Sequence, residues 1–270
     1  MRTARTIPEV RAALAPLRPR TEIGLVPTMG ALHRGHLSLI EAARRENGTV
    51  VVSSFVNPTQ FGQGEDLDRY PRDEERDARL AEEAGADLLF APSAAEMYPD
   101  GFQTWVEVTE LSQGMEGSAR PGHFRAVATV CTKLFNIVRP ARAYFGQKDA
   151  QQAAVVERLV RDLDLELEIR VLPTVRDEDG LALSSRNTHL SLEERKAARQ
   201  INRALLAGEA AHREGRDPAA AARAALAEEP RLVPDYVEAA RLNGRLVLAA
   251  AARAGSTRLI DNVVLEGESP

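Results

Sequence analysis

Apolar positions in the first 173 residues alternate between two patterns: short runs, and stripes at three- and four-residue spacing. Thr21 to Val26 is a short apolar-rich segment closed by Pro27, and Val50-Val51-Val52-Ser53-Ser54-Phe55-Val56 is a nearly continuous run. Both fit strands covered on two faces. Between them Leu37, Ile40 and Ala43 step at helical spacing, with Asn47-Gly48 as a C-terminal stop. A helix over 73–84 and a strand over Asp87–Ala91 continue the alternation. Phe124, Val127, Cys131, Leu134 and Val138 form a helical stripe, followed by a strand at Ala143–Phe145, a helix at about 151–162 and a strand at Leu167–Leu172. Thr6-Ile7-Pro8-Glu9 has the capping-box spacing with proline in the first turn, so the first helix begins near residue 7. Strand–helix alternation of this kind predicts an α/β fold: a Rossmann-like, mainly parallel sheet with helices on both faces.

The character changes after Pro173. Arg176-Asp177-Glu178-Asp179-Gly180 is a charged turn, and Ser191 with Glu194 repeats the capping-box spacing ahead of a long alanine-rich helical stretch. Segments around Val237–Ala240, Leu246–Ala251 and Arg258–Leu265 have the look of short strands. We therefore divide the chain into a first domain over 1–174 and a smaller C-terminal α+β domain over 175–270. Alanine richness over 197–227 has a sufficient explanation in helix propensity.

Composition narrows the field. A chain of 270 residues with 44% hydrophobic and 28% charged residues buries a core without staples. Its net charge of −5 does not attract phosphate backbones, which argues against nucleic acid as a partner. No apolar run is long enough for a membrane span, and the basic N-terminus leads into a charged, proline-punctuated segment unlike a signal peptide. A single cysteine, Cys131, excludes a disulfide framework and a cysteine-cluster metal site. These features point to a cytoplasmic protein.

Candidate chemistry is concentrated in three turns. Met29-Gly30-Ala31-Leu32-His33-Arg34-Gly35-His36 lies between a predicted strand and a predicted helix, where open α/β sheets bind ligands. A helix beginning near His36 would present unpaired backbone N–H groups and a positive dipole end to phosphate. His33 and His36, flanking Gly35, can each donate N–H to a phosphate oxygen; zinc is the alternative, but no third ligand of the usual kind is near. Gly146-Gln147-Lys148-Asp149 follows another predicted strand, and Lys148 is one of only three lysines in the chain. Leu183-Ser184-Ser185-Arg186 offers hydroxyls, amides and a guanidinium, suited either to a triphosphate or to capping a helix. Gln60 and Gln152 are neutral amides that could bind hydroxyl and carboxylate groups without quenching a nucleophilic carboxylate. Cys131 belongs to the core stripe, His123 could be structural or functional, and Asp66, Asp68 and Asp77 receive no metal.

His33-Arg34-Gly35-His36 after a first strand resembles the nucleotide-binding signature of the nucleotidylyltransferase and class I aminoacyl-tRNA synthetase superfamily. The order of Val26–His36, Val56-Asn57-Pro58-Thr59-Gln60-Phe61, Tyr70-Pro71-Arg72, Arg120–Arg125, Phe145–Asp149 and Ser184-Ser185-Arg186-Asn187 is similar to that of the pantothenate synthetases, the pantoate–β-alanine ligases. The resemblance covers residues from about 20 to 190, with departures at Ala126, Arg142 and Ala150, where glycine, aspartate and an aromatic are common. It implies ATP-dependent condensation of (R)-pantoate with β-alanine through a pantoyl-adenylate, releasing AMP and pyrophosphate, by a homodimer. It also implies that Mg²⁺ is held mainly through the nucleotide phosphates. Catalytic work falls to His36, His33, Lys148, Ser184, Ser185 and Arg186. ATP contacts are expected from residues 29–36, from Gly146, Gln147, Lys148 and Asp149, from Val175 at the adenine, and from Leu183 to Arg186. Gln60 and Gln152 match pantoate-contacting positions, Gln60 also near β-alanine, and the 183–186 loop is a mobile phosphate grip. The alternative is a nucleotidylyltransferase acting on a phosphorylated small acceptor, which would want further basic residues for the acceptor phosphate.

Overall fold

The computed structural model describes residues 1–267. Its contacts divide the chain into two compact units, Met1–Phe145 with Val155–Leu172, and Gly146–Ala154 with the chain from Pro173 onward. The stretch 146–154, which a linear division leaves in the first domain, sits in the second unit. Side-chain amides hold it there: Asn262 bonds the carbonyls of Gln147 and Lys148, and Asn243 bonds that of Ala154.

The first unit begins with β1 (Arg2–Ala4) and α1 (Ile7–Leu14), then β2 (Ile23–Thr28), α2 (Arg34–Glu46), β3 (Thr49–Ser54) and α3 (Glu74–Glu83). It continues with β4 (Leu88–Phe90), α4 (Ala94–Met97), α5 (Met115–Ala119), α6 (His123–Val138), β5 (Arg142–Gly146), α7 (Ala150–Asp162) and β6 (Glu168–Leu172). Strands follow the order β1-β4-β3-β2-β5-β6, with parallel pairing of β1 to β4, β4 to β3, β3 to β2 and β2 to β5. Successive side chains on a strand point to opposite faces, and here both faces are apolar. Ile23, Leu25, Val51, Phe90, Ala143 and Phe145 pack with α1, α6 and the second half of α7. Val26, Val50, Val52, Leu89 and Tyr144 pack with α2 and α3. The expected parallel sheet, covered on both faces, is therefore present. Because β3 and β4 lie to one side of β2 and β5 to the other, the carboxyl end of β2 is a topological switch point.

Thr6 and Glu9 form the expected capping box at the start of α1. Other boundaries differ. β1 was not anticipated: Arg2 and Thr3 are exposed polar positions, and only Ala4 turns inward and is buried. The valine-rich run ends as a strand at Ser54, short of Phe55 and Val56.

In the second unit, α8 (Leu192–Arg213) and α9 (Pro218–Leu226) cover an antiparallel sheet of β7 (Leu232–Leu242), β8 (Arg245–Ala254) and β9 (Thr257–Glu266). Ser191 and Glu194 form the capping box that opens α8. The strands span 11, 10 and 10 residues and are not the short ones expected. Alanine is a weak strand former, and the expected strand over Leu246–Ala251 extends in β8 to Ala254. The left-handed pair Asn243-Gly244 (φ 48° and 88°) forms the hairpin turn from β7 to β8. Between helix and sheet the residues are small: Ala197, Ala198, Ala204 and Ala211 of α8 are buried against the core that holds Leu248, Ala250 and Ala252 of β8. A β-carbon at Gly208 would come within 2.4 Å of Leu248 and 2.7 Å of the Pro218 carbonyl oxygen.

Candidate active site

The turn leaving β2 is built from its own backbone outward. Thr28 donates its hydroxyl to the Ser53 carbonyl (2.7 Å) and accepts from the Gly30 amide (3.1 Å). Gly30 (φ 80°) and Ala31 (φ 51°) then take the left-handed conformation, and a β-carbon on Gly30 would meet Ser54 Oγ at 2.9 Å. This fold of the chain aims two successive amides, of Ala31 and Leu32, at one point. Asp77 of α3 stands there and accepts both at 2.7 Å. The residue is only 1% exposed, and burial raises its pKa despite the lowering effect of the two amides. Arg76 adds a bond to the Leu32 carbonyl (3.2 Å). The glycine-bearing turn is thus clamped by a side chain of its own chain.

The histidines correct the expected helix start. α2 begins at Arg34, and His33 is its N-cap, with Nδ1 accepting from the Gly35 amide (3.2 Å). His36 Nδ1 in turn accepts from the His33 amide (3.4 Å), and the His36 amide bonds the His33 carbonyl (2.8 Å). The His33, Gly35 and His36 amides are thus bonded within the turn. A ring nitrogen that accepts carries no proton, so this network assigns the hydrogen of each neutral ring to Nε2. The two rings stack with centroids 4.1 Å apart. Both rings are oriented at the helix start through Nδ1.

Arg34 does not join them: its side chain is exposed and pairs with Glu41 (2.7 Å), leaving only its backbone at the turn. Met29 is drawn in, its sulfur accepting from Gln60 Nε2 (3.0 Å). Gln60 ends the short turn Pro58–Gln60, is 8% exposed, and accepts at Oε1 from Asn57 (3.2 Å). Its carbonyl is held from α6 and the residues before it by Arg120 Nη2 (3.2 Å) and His123 Nδ1 (3.0 Å). Since a carbonyl only accepts, Nδ1 of His123 carries the hydrogen, and Nε2 receives Arg120 Nη1 at 3.2 Å. Burial, aided by the Arg120 charge, pushes the His123 pKa down to about 4. His123 thus braces Gln60, a role hidden from the sequence because its partner is a backbone oxygen 63 positions away.

In the second unit Gln147–Asp149 forms one short helical turn, with Lys148 Nζ 3.6 Å from the Asp149 carboxylate. Gly146 has an ordinary φ of −94°, and the place its side chain would occupy is open. Gln152 lies half-buried in the first turn of α7. Val175 and Leu183 are the ends of a small hairpin, the Leu183 amide bonding the Val175 carbonyl (3.0 Å). Ser184 follows and caps the turn Ser185–His189 by accepting from the Arg186 amide (3.3 Å). Ser184 therefore caps a turn while its hydroxyl hydrogen stays available for donation. Lys148, Ala182, Ser184 and Asp261 line one small cavity. The other two lysines serve elsewhere: Lys133 lies over the Phe102 ring (5.0 Å) and Lys196 pairs with Glu193 (2.7 Å). Cys131 is buried in the core, its thiol pushed up to about 12.

Among the described residues no three His, Cys, Asp or Glu side chains converge as a metal-binding group, and no helix is long and apolar enough to cross a membrane. The sequence model of the pantoate-beta-alanine ligase family matches residues 2–264. A pantothenate synthetase of Acidobacterium capsulatum is 52% identical over 295 aligned positions, covering all of this chain and 98% of that protein. One from Moorella thermoacetica is also 52% identical, covering 98% of this chain and 99% of its own. Among solved structures, pantothenate synthetase from Thermus thermophilus superposes with a TM-score of 0.93 at 51% identity, over 99% of this chain and 100% of that one. The Francisella tularensis pantoate-beta-alanine ligase, solved with beta-gamma ATP and beta-alanine, gives a TM-score of 0.85 at 37% identity, over 99% of both chains. With a family match over nearly its whole length, on a fold that ends β2 in a paired-histidine turn, the chain belongs to the pantoate–β-alanine ligase family and joins pantoate to β-alanine.

Proposed function

We propose that the ligation runs in two steps and that the residues above divide the work between them. In the first, a carboxylate oxygen of (R)-pantoate attacks the α-phosphorus of ATP, the bond to the β-phosphate oxygen breaks, and pyrophosphate leaves. In the second, the β-alanine amine attacks the carbonyl of the pantoyl-adenylate, AMP departs with the acyl oxygen, and the amine loses a proton. Negative charge grows on phosphate oxygens in the first step, where pre-placed donors lower the barrier. His36 and His33 supply Nε2–H donors, Lys148 a point charge, and Ser184, Ser185 and Arg186 hydroxyl, amide and guanidinium donors. Backbone of the Met29–Gly35 turn, Gly146, Gln147, Asp149 and Leu183 shapes the ATP site, and Val175 borders the adenine. Gln60 and Gln152 hold pantoate by neutral amides, which leave its carboxylate nucleophilic. Mg²⁺ accompanies ATP, bound chiefly by phosphates and water as its octahedral demand favours. The segment 183–186 closes over the adenylate and keeps water from hydrolysing it. In this reading residues 1–174 bind nucleotide and pantoate, residues 175–270 carry the phosphate loop and lid, and the enzyme is a cytoplasmic homodimer.

The observation that carries the reading is the stacked histidine pair, whose Nδ1 atoms are both committed to backbone amides. That arrangement fixes two donors in one orientation before any charge develops. His36→Ala is expected to depress pantoate-dependent ATP–pyrophosphate exchange by about 10²–10³-fold, the usual effect of removing one such donor, with pantoate affinity little changed. Exchange near the parent rate would remove His36 from the chemistry.

A further inference from the structure

We propose that Asn262 is a positioning residue for Lys148 and that Asp261 beside it fixes the hairpin leading to Ser184, so that adjacent residues of β9 set the spacing of two phosphate-handling segments. The proposal rests on the roles assigned above to Lys148 and Ser184. Asn262 is 4% exposed and far in sequence from both. Its Nδ2 donates to the carbonyls of Gln147 and Lys148, each at 2.9 Å, and its Oδ1 accepts from Gln147 Nε2 at 3.0 Å. Two consecutive carbonyls can reach one amide nitrogen only while residues 147–149 keep their tight turn, so Asn262 selects that turn. A lysine on a flexible stem is aimed chiefly by where its backbone stands.

Asp261 is also 4% exposed and accepts both ends of the Arg176 guanidinium, at 2.5 and 2.9 Å. The Asn262 amide gives it a further bond (2.8 Å), and Arg176 extends to the Gly180 carbonyl (3.1 Å). Arg176 pairs across the hairpin with Ala182, two residues before Ser184. Strand neighbours point to opposite faces, so one rigid strand can hold the lysine turn with one residue and the serine hairpin with the next. Displacements near 1 Å at a reacting centre cost large factors in rate, which is why a bracket of this kind matters beyond stability.

Asn262→Ala is expected to lower the turnover of pantoate-dependent ATP–pyrophosphate exchange by about 10–100-fold, with KM for pantoate within about twofold of the parent. Lys148→Ala is expected to lower exchange on its own, and adding Asn262→Ala to it should cause no further fall. A purely structural Asn262 would instead multiply its loss onto that of Lys148→Ala, and that outcome overturns the proposal, as does parent-like exchange in Asn262→Ala. Full activity in Lys148→Ala would sink the lysine assignment itself, a distinguishable result. If Asn262→Ala does not fold, Asn262→Asp takes its place: it keeps the acceptor for Gln147 but sets an anion against two carbonyls, and the same loss and the same non-additivity are required of it.

Discussion

The His123 imidazole braces the Gln60 carbonyl from within the fold. Its ordinary pKa of 6.5 falls to about 4 because the ring is buried beside Arg120. The folded state therefore binds fewer protons than the unfolded state between those values, and its stabilising effect is complete above pH 6.5 and lost as pH falls toward 4. Each unit of displacement is worth about 1.4 kcal/mol, so the loss by pH 4 is on the order of 3 kcal/mol. Urea unfolding at neutral pH and at about pH 4.5 should show this drop in the parent, while His123→Asn, which keeps a donor for the Gln60 carbonyl, should show a flatter profile. A drop of equal size in His123→Asn would assign the acid sensitivity elsewhere. At this scale the sequence singles out residues whose type suggests chemistry, His33, His36, Lys148 and Ser184. It left Asp77 and His123 without a role and passed over Asn262, because each bonds backbone atoms in distant segments.

One level up, the unit that matters is β2, its turn and α2, held from the side by α3. Asp77 accepts the Ala31 and Leu32 amides that the left-handed turn exposes, so a carboxylate clamp holds this turn in place. Asp77→Asn leaves one acceptor and places an N–H against an N–H, which should cost about 1–3 kcal/mol of stability. It should also reduce exchange activity, since the histidine pair is carried by the same turn; a melting curve and kcat of one preparation check both. An unchanged melting temperature would contradict the clamp. The strand–turn–helix succession was readable because periodicity reports burial directly. The polar edge strand β1 escaped it, since it does not display the apolar alternation by which strands are recognised, and β8 was read only in part, over Leu246–Ala251.

At the level of the whole chain, each unit has its own apolar packing among the described residues: one cluster on either face of the parallel sheet, and one beneath α8 and α9. Leu205 is fully buried in the second unit. Leu205→Ala should remove about 2–5 kcal/mol there, and hydrogen exchange should show amides of β7–β9 losing protection while those of β2 and β3 keep theirs. Equal loss in both sheets would mean one cooperative core. A change of character after Pro173 was visible in the sequence, but the transfer of 146–154 to the second unit was not, because amide side chains from β9 and the Asn243 turn decide it. The alanines of α8, readable as mere helix formers, have a further meaning beside Gly208, where even one methyl collides with Leu248 and the Pro218 carbonyl. Because one of those obstacles is a backbone atom, trimming Leu248 alone cannot make room at this point of the seam, so position 208 should stay glycine even where its side-chain neighbours drift.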